Sequence, residues 1–255
     1  MNRADVVRIV RLPDRPVHLN RACRARIVEI VPAVRDPLTT AVSESTLERF
    51  REATASAHPT PAGVAVAAVA ASFALGLLAK GLAVSARRDA QSVTIGKLEP
   101  LAAGARAESS RMLQLASDDM AAFEAYLAAA RMPRATDRER LERQRALDGA
   151  LRQAIDLPLA GARSAAAGLR LCVEAVAVTH LAVLADLGTA VTLLAGALRA
   201  FLLCAESNVS QLAPENSPQR ELLAKESVAH RRCVREAEEV LDRVTAAFEA
   251  ARVQR

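Results

Sequence analysis

The chain is nearly without aromatic residues. Among its 255 residues there is no Trp, one Tyr (Tyr126) and five Phe, an aromatic share of 2%. Binding single strands of nucleic acid by base stacking needs aromatic platforms, and these are missing. A sheet-rich core is disfavoured as well, because strands draw on aromatic and β-branched side chains. Cysteine is sparse: Cys23, Cys172, Cys204 and Cys233 share no short spacing, and no C-x-x-C occurs. The sequence therefore indicates neither a disulfide framework nor a bound metal. Reduced thiols in a cytoplasmic protein fit this usage, with Cys172 and Cys204 as small buried residues. A P-loop, a G-x-G-x-x-G turn and a G-x-S-x-G elbow are also absent, which excludes the common phosphate-cradling and serine-hydrolase signatures.

The net charge of +5 at first suggests a nucleic-acid partner. Its distribution argues otherwise. Residues 1–36 carry a net +4, from eight Arg against Asp5, Asp14, Glu29 and Asp36, and the remaining body carries only +1. No nucleic-acid partner is expected on this pattern. The first residues lack an unbroken apolar run, so no secretory signal is expected there. Gly63 to Ala79 is free of charge. It is short for a membrane span, rich in weakly inserting Ala, and ends against Lys80. A buried bundle helix is the expectation, with no membrane partner.

What the chain does have is alanine, more than a fifth of all residues. Alanine is the best helix former. Residues 1–42, rich in Arg and Pro, read as a weakly structured extension. From 43 to 255 the punctuation is helical. Ser45-Thr-Leu-Glu48 reads as a capping box. Thr60-Pro61 opens a helix with Pro61 at its first position, running to about Ala86. A long helix from about Ser92 to Arg131 comes next, ended by Met132-Pro133. Thr136-Asp-Arg-Glu139 is a second capping box, opening a charged helix to about Ile155. Pro158 interrupts or kinks the pattern, and a further helix follows to about Val178. An apolar helix then spans about Asp186 to Asn208, and Ser217-Pro218 starts the last one. The expected fold is an all-α antiparallel bundle of about six helices. Small side chains bury little area each, so a homodimer through an Ala-rich helix face is expected.

Four segments carry more than periodicity. His58-Pro-Thr-Pro-Ala-Gly-Val-Ala-Val-Ala-Ala68 resembles the Thr-Pro-Gly-Gly-Gly-x-Ala-Ala opening of the formiminotransferase-cyclodeaminase C-terminal domain, shared with methenyltetrahydrofolate cyclohydrolases. Asp118-Asp-Met-Ala-Ala-Phe123 is similar to that family's acidic helix. Arg131-Met-Pro-Arg-Ala-Thr-Asp-Arg-Glu139 resembles its Leu-Pro-Lys-x-Thr-x-Glu-Glu turn, and Asp156-Leu-Pro-Leu159 its Val-Pro-Leu kink. His180-Leu-Ala-Val-Leu-Ala-Asp-Leu-Gly188 resembles its Asn-x-x-Val-x-Ser-Asp-x-Gly helix. Leu198-Arg199 and Asn208 resemble its downstream Leu-Arg and Asn-Val-x-x-Asn. The likeness covers about residues 46 to 250.

The resemblance implies a folate substrate and one-carbon chemistry: cyclisation of formiminotetrahydrofolate with loss of ammonia, or hydrolysis of the methenyl form. No permanently bound cofactor is implied. Either reaction needs a proton shuttle, which a carboxylate in an apolar cleft can supply. Asp119 and Asp186 are the catalytic candidates, Asp186 because it sits in an otherwise apolar helix. Thr60, Pro61, Gly63, His180, Gly188 and Asn208 are the candidate substrate contacts. Arg87 and Arg88 are placed to meet the carboxylates of the folate tail. Solvated or capping roles for the two aspartates stay open on the residues alone. The departures are specific. Ala62-Gly63-Val64 keeps one glycine of three, and Cys204 stands where an Asn is expected. They admit a second reading, in which a diverged member binds another ligand or serves as a helical scaffold.

Overall fold

The computed structural model describes residues 41–88, 92–210 and 218–253. The expectations for the Arg- and Pro-rich segment up to residue 40, Cys23 included, lie outside the described residues. Those described form six α-helices and no strand: α1 (Leu47–Ala55), α2 (Gly63–Arg88), α3 (Ser92–Arg131), α4 (Asp137–Ala175), α5 (Leu184–Val209) and α6 (Pro218–Val253). One-turn 3-10 helices precede α1 (Val42–Glu44) and α5 (Leu181–Val183). The all-α expectation holds.

Helix starts reflect local chemistry. Thr46 caps α1, its hydroxyl accepting from the Arg49 N–H at 3.2 Å, so the cap lies one residue beyond the Ser45 expected. At α4 the expected box is complete. Thr136 Oγ1 accepts from the Glu139 N–H at 3.2 Å, and the Glu139 carboxylate accepts from the Thr136 N–H at 2.9 Å. Those bonds pull the Glu139 carboxyl below its usual range. Helix α2 begins at Gly63, two residues after Pro61, and the Thr60–Pro61 peptide is cis.

Pro158 does not divide two helices. It lies inside the single helix α4, which ends at Ala175 rather than Val178. A proline removes one backbone donor and leaves the carbonyl four residues earlier unpaired. Here that carbonyl belongs to Ala154, and it accepts from the Asn208 side-chain amide of α5 at 2.5 Å. A neighbouring helix thus supplies the donor that the proline lacks.

Helices α2, α3, α4 and α5 form a ring of neighbours, each packed on the next and α5 closing back on α2. Successive members run antiparallel. Ser72 meets Ser109, Glu108 meets Ser164, Phe201 packs on Gly161, and Lys80 meets Asp186. Helix α6 lies outside this ring against α4 and α5, through Arg163–Glu226 and Arg199–Glu238. The core stripe of α2 is Ala65, Ala68, Ala71, Leu75, Leu78 and Leu82, each almost fully buried. Alanines on such a stripe let backbones approach closely, and Gly161 shows the limit. A β-carbon there would lie 2.6 Å from the buried Phe201 ring, which occupies the space a side chain would need.

Helix α2 and the segment Leu181–Val209 are each long and apolar enough to cross a membrane by length and composition. More than half of each apolar window is buried inside the chain, as in core helices.

Candidate functional site

The site is clearest at the N-terminal end of α2. There Asp119 of α3 turns inward, and its carboxylate accepts a hydrogen bond from the Ala65 N–H. Its sequence neighbour Asp118 stays exposed and accepts from Gln114 at 2.8 Å. Adjacent helical residues point about 100° apart, so one aspartate reaches the interior and the other cannot. Burial raises the Asp119 carboxyl to about 6, against the smaller opposing effect of the Ala65 bond.

Two further residues close around it. Cys204 of α5 faces Gly63, where a β-carbon would sit 3.1 Å from its Sγ. A side chain at Gly63 would make this approach tight, and the Cys204 thiol would have to give by a few tenths of an ångström. Burial, and then the Asp119 carboxylate, push the Cys204 thiol up. Cys204 is half-buried and borders the acid, which corrects its expected place as a core residue; Cys172 is fully buried as expected. Thr60 is 1% exposed and Pro61 is buried beside it. The Thr60 carbonyl and the His58 Nδ1 lie 2.9 Å apart, which ties the approach to α2. Thr60, Pro61, Gly63, Asp119 and Cys204 therefore gather at one end of the bundle.

Asp186 lies elsewhere. It sits in the first turn of α5, past the N-cap position, and pairs with Lys80 at 3.3 Å. Ala65 and Lys80 are fifteen residues apart on α2, so the two carboxylates are separated by about 22 Å within one chain. His180 belongs to the Asp186 end. Its N–H donates to Ser85 Oγ at 2.9 Å, and its Nδ1 accepts from the Ala182 N–H at 3.1 Å. It caps the 3-10 turn before α5. Arg87 and Arg88 are exposed in the last turn of α2 at this same end, where cations suit the helix dipole.

The remaining two candidates have structural roles. Asn208 donates to the Ala154 carbonyl freed by Pro158. Gly188 packs α5 against α6, with Val244 Cγ1 3.4 Å from where its β-carbon would be. Lys80 reads in the sequence only as a break in an apolar run, and its pairing is new. The signal is nonetheless present, since a lone charge in an apolar helix is the same feature that singles out Asp186. Among the described residues no group of three or more His, Cys, Asp or Glu could hold a metal ion.

The open face shared by α2 and α5 runs between the two ends. Phe73 is 59% exposed on it, with Val66, Leu193 and Leu203 also exposed. Gly76 and Gly196 have no atom within 4 Å of a would-be side chain.

Comparison with known proteins agrees with this architecture. The chain is similar to the crystal structure of formiminotetrahydrofolate cyclodeaminase from Thermotoga maritima, with a TM-score of 0.68 and 19% identity over 82% of this chain and 98% of that one. At that identity the likeness speaks for the fold alone. No curated protein matches the sequence significantly. The family model for formiminotransferase-cyclodeaminase matches residues 46–226, which takes in α1 to α5 and the start of α6. On that match, the chain belongs to the formiminotransferase-cyclodeaminase family.

Proposed function

We propose that the protein is a folate-dependent one-carbon enzyme, a cyclodeaminase or cyclohydrolase, that moves protons with Asp119. The observation that carries this is the inward Asp119 carboxyl, raised to about 6 beside the start of α2. A group with that value holds a useful share of both forms near neutrality. In the cyclodeaminase direction, N10 attacks the formimino carbon, the base takes the N10 proton, and the acid protonates the departing amine. In the hydrolytic direction the base takes a proton from the water that adds to the methenyl carbon, and the resulting acid returns it to N5 as the carbon–N5 bond of the adduct breaks to leave the formyl group on N10. Gly63, Thr60 and Pro61 border the place where the ligand would lie, and Phe123 and Tyr126, 6.3 Å apart on α3, are the nearest aromatic pair along that helix.

Asp186 enters this reading through a second copy of the chain. About midway between Ala65, the partner of Asp119, and Lys80 on α2 lies Phe73, and midway between Asp186 and Cys204 on α5 lies Ala195, next to Gly196. An isologous contact of the open α2–α5 face, centred on those positions, sets Asp186 of one copy level with Asp119 of the other. The exposed Phe73, Leu193 and Leu203 and the open Gly76 and Gly196 support such a contact. Arg87 and Arg88 would then stand at the rim, for the folate tail carboxylates. Free thiols at Cys172, Cys204 and Cys233 fit a cytoplasmic setting.

The test is calorimetric titration with a reduced folate, alongside absorbance decay of the methenyl form. Binding and turnover are expected. Asp119→Asn should keep binding and lose turnover, and the wild-type rate should rise with pH through about 6 as the base ionises. Absence of binding at millimolar folate rejects the enzyme reading in favour of the diverged scaffold.

A further inference from the structure

Lys80 is the only charged residue between Gly63 and Ala86, and Asp186 the only one between Leu184 and Leu198. These two charges, each isolated within the apolar stretch of its helix, meet, Nζ to Oδ2, at 3.3 Å. Neither position caps a helix, and neither charge is demanded by the core, since both side chains reach the open face. As a stability device the pair is weak. Its lysine is 64% exposed and its aspartate 31%, and exposed ion pairs contribute little. What the contact does accomplish is geometric. A short acidic side chain on an open helix face is held toward α2 by an ammonium donor.

We propose that Lys80 is a positioning residue that fixes the orientation of the Asp186 carboxylate for the reaction. The role rests on the reading that Asp186 belongs to the site. It gives Lys80 no contact with the substrate. Its contribution is pre-organisation: a carboxylate that would otherwise sample several rotamers is presented in one. Losing it should therefore lower kcat and leave KM nearly unchanged.

Steady-state kinetics on Lys80→Met, Lys80→Arg and the swap Lys80→Asp with Asp186→Lys decide the matter, with melting curves on each. Lys80→Met is expected to lower kcat about threefold to fivefold, the size a partly exposed ion pair can supply, with KM within about twofold and an unchanged melting midpoint. Lys80→Arg should restore most of the loss, because a guanidinium reaches the same oxygen. The swap should stay inactive while folding normally, since it keeps the pair and removes the carboxylate from α5. If Lys80→Met aggregates, Lys80→Gln gives the same reading. Wild-type kcat in Lys80→Met or Lys80→Gln overturns the proposal. So does a loss that merely tracks a fall in melting midpoint and that arginine does not rescue. A wild-type chain with neither binding nor turnover overturns the folate reading itself and this role with it, and the wild-type control tells the two failures apart.

Discussion

At neutral pH the Asp119 carboxyl is held in a place that suits its acid form better than its anion. The linkage has a definite sign. Its folded value, about 6, lies above the ordinary 3.8. The stability it contributes is full below the ordinary value and is lost as pH rises through about 6. A two-unit shift corresponds to at most about 3 kcal/mol, and partial exposure reduces that. Asp119→Asn retains an oxygen for the Ala65 N–H and removes the charge. It should therefore stabilise the fold above pH 7, by about 1–3 kcal/mol, and make no difference near pH 4. Urea denaturation at the two pH values measures this, and an asparagine variant that is less stable at pH 7.5 refutes it. A residue that weakens its own fold in the working range is common at active sites. Cys204 shares the environment, and its thiol is pushed up by burial first and then by the neighbouring Asp119 carboxylate.

Among the elements, α4 carries the most telling correction. The sequence reads as an interruption or a kink at Pro158, because proline ends or kinks most helices it enters. What the sequence could not show is a donor arriving from another helix, 54 positions from the carbonyl it serves. Asn208 is that donor, with its side-chain amide nitrogen engaged by the carbonyl of α4. The consequence is a coupling between two positions. Asn208→Ala leaves the buried Ala154 carbonyl unpaired and should cost about 1–3 kcal/mol. In a Pro158→Ala background the alanine N–H can serve that carbonyl, so the same change should cost markedly less. A double-mutant cycle by chemical denaturation reads the difference, and equal costs in the two backgrounds reject the coupling. Elsewhere the elements were legible where the signal is local. The Thr136–Glu139 box, the Ser92 to Arg131 helix and the Pro218 start are all where side-chain spacing and prolines put them. The start of α2 was not, because Pro61 belongs to the turn tied by His58 and Thr60 rather than to the helix.

For the whole molecule, alanine and periodicity lead to the ring of four helices, but the site does not emerge from its residues alone. Sequence order says nothing of which end of an antiparallel pair a residue reaches. Asp119 and Gly63 are joined because α3 returns alongside α2, and Asp186 goes to the opposite end for the same reason. The proposed two-copy contact joins them again, and it is testable apart from chemistry. Phe73→Asp should convert a dimer to a monomer in sedimentation at micromolar concentration, with turnover falling in parallel while helical content stays constant. A wild-type monomer at all concentrations would rule the contact out.

The two apolar helices have a consequence during synthesis. Each emerges from the ribosome as a stretch that a membrane-insertion machinery would test for entry into the bilayer. A single charge at the centre of such a segment costs about 2.5–3.5 kcal/mol of insertion free energy. Lys80 lies off the centre of the first stretch and Asp186 in the first turn of the second, so each supplies a smaller part of that cost. The pair that meets at 3.3 Å in the folded chain thus also weighs against insertion before folding, Lys80 in the first helix and Asp186, with Arg199 and Glu206, in the second.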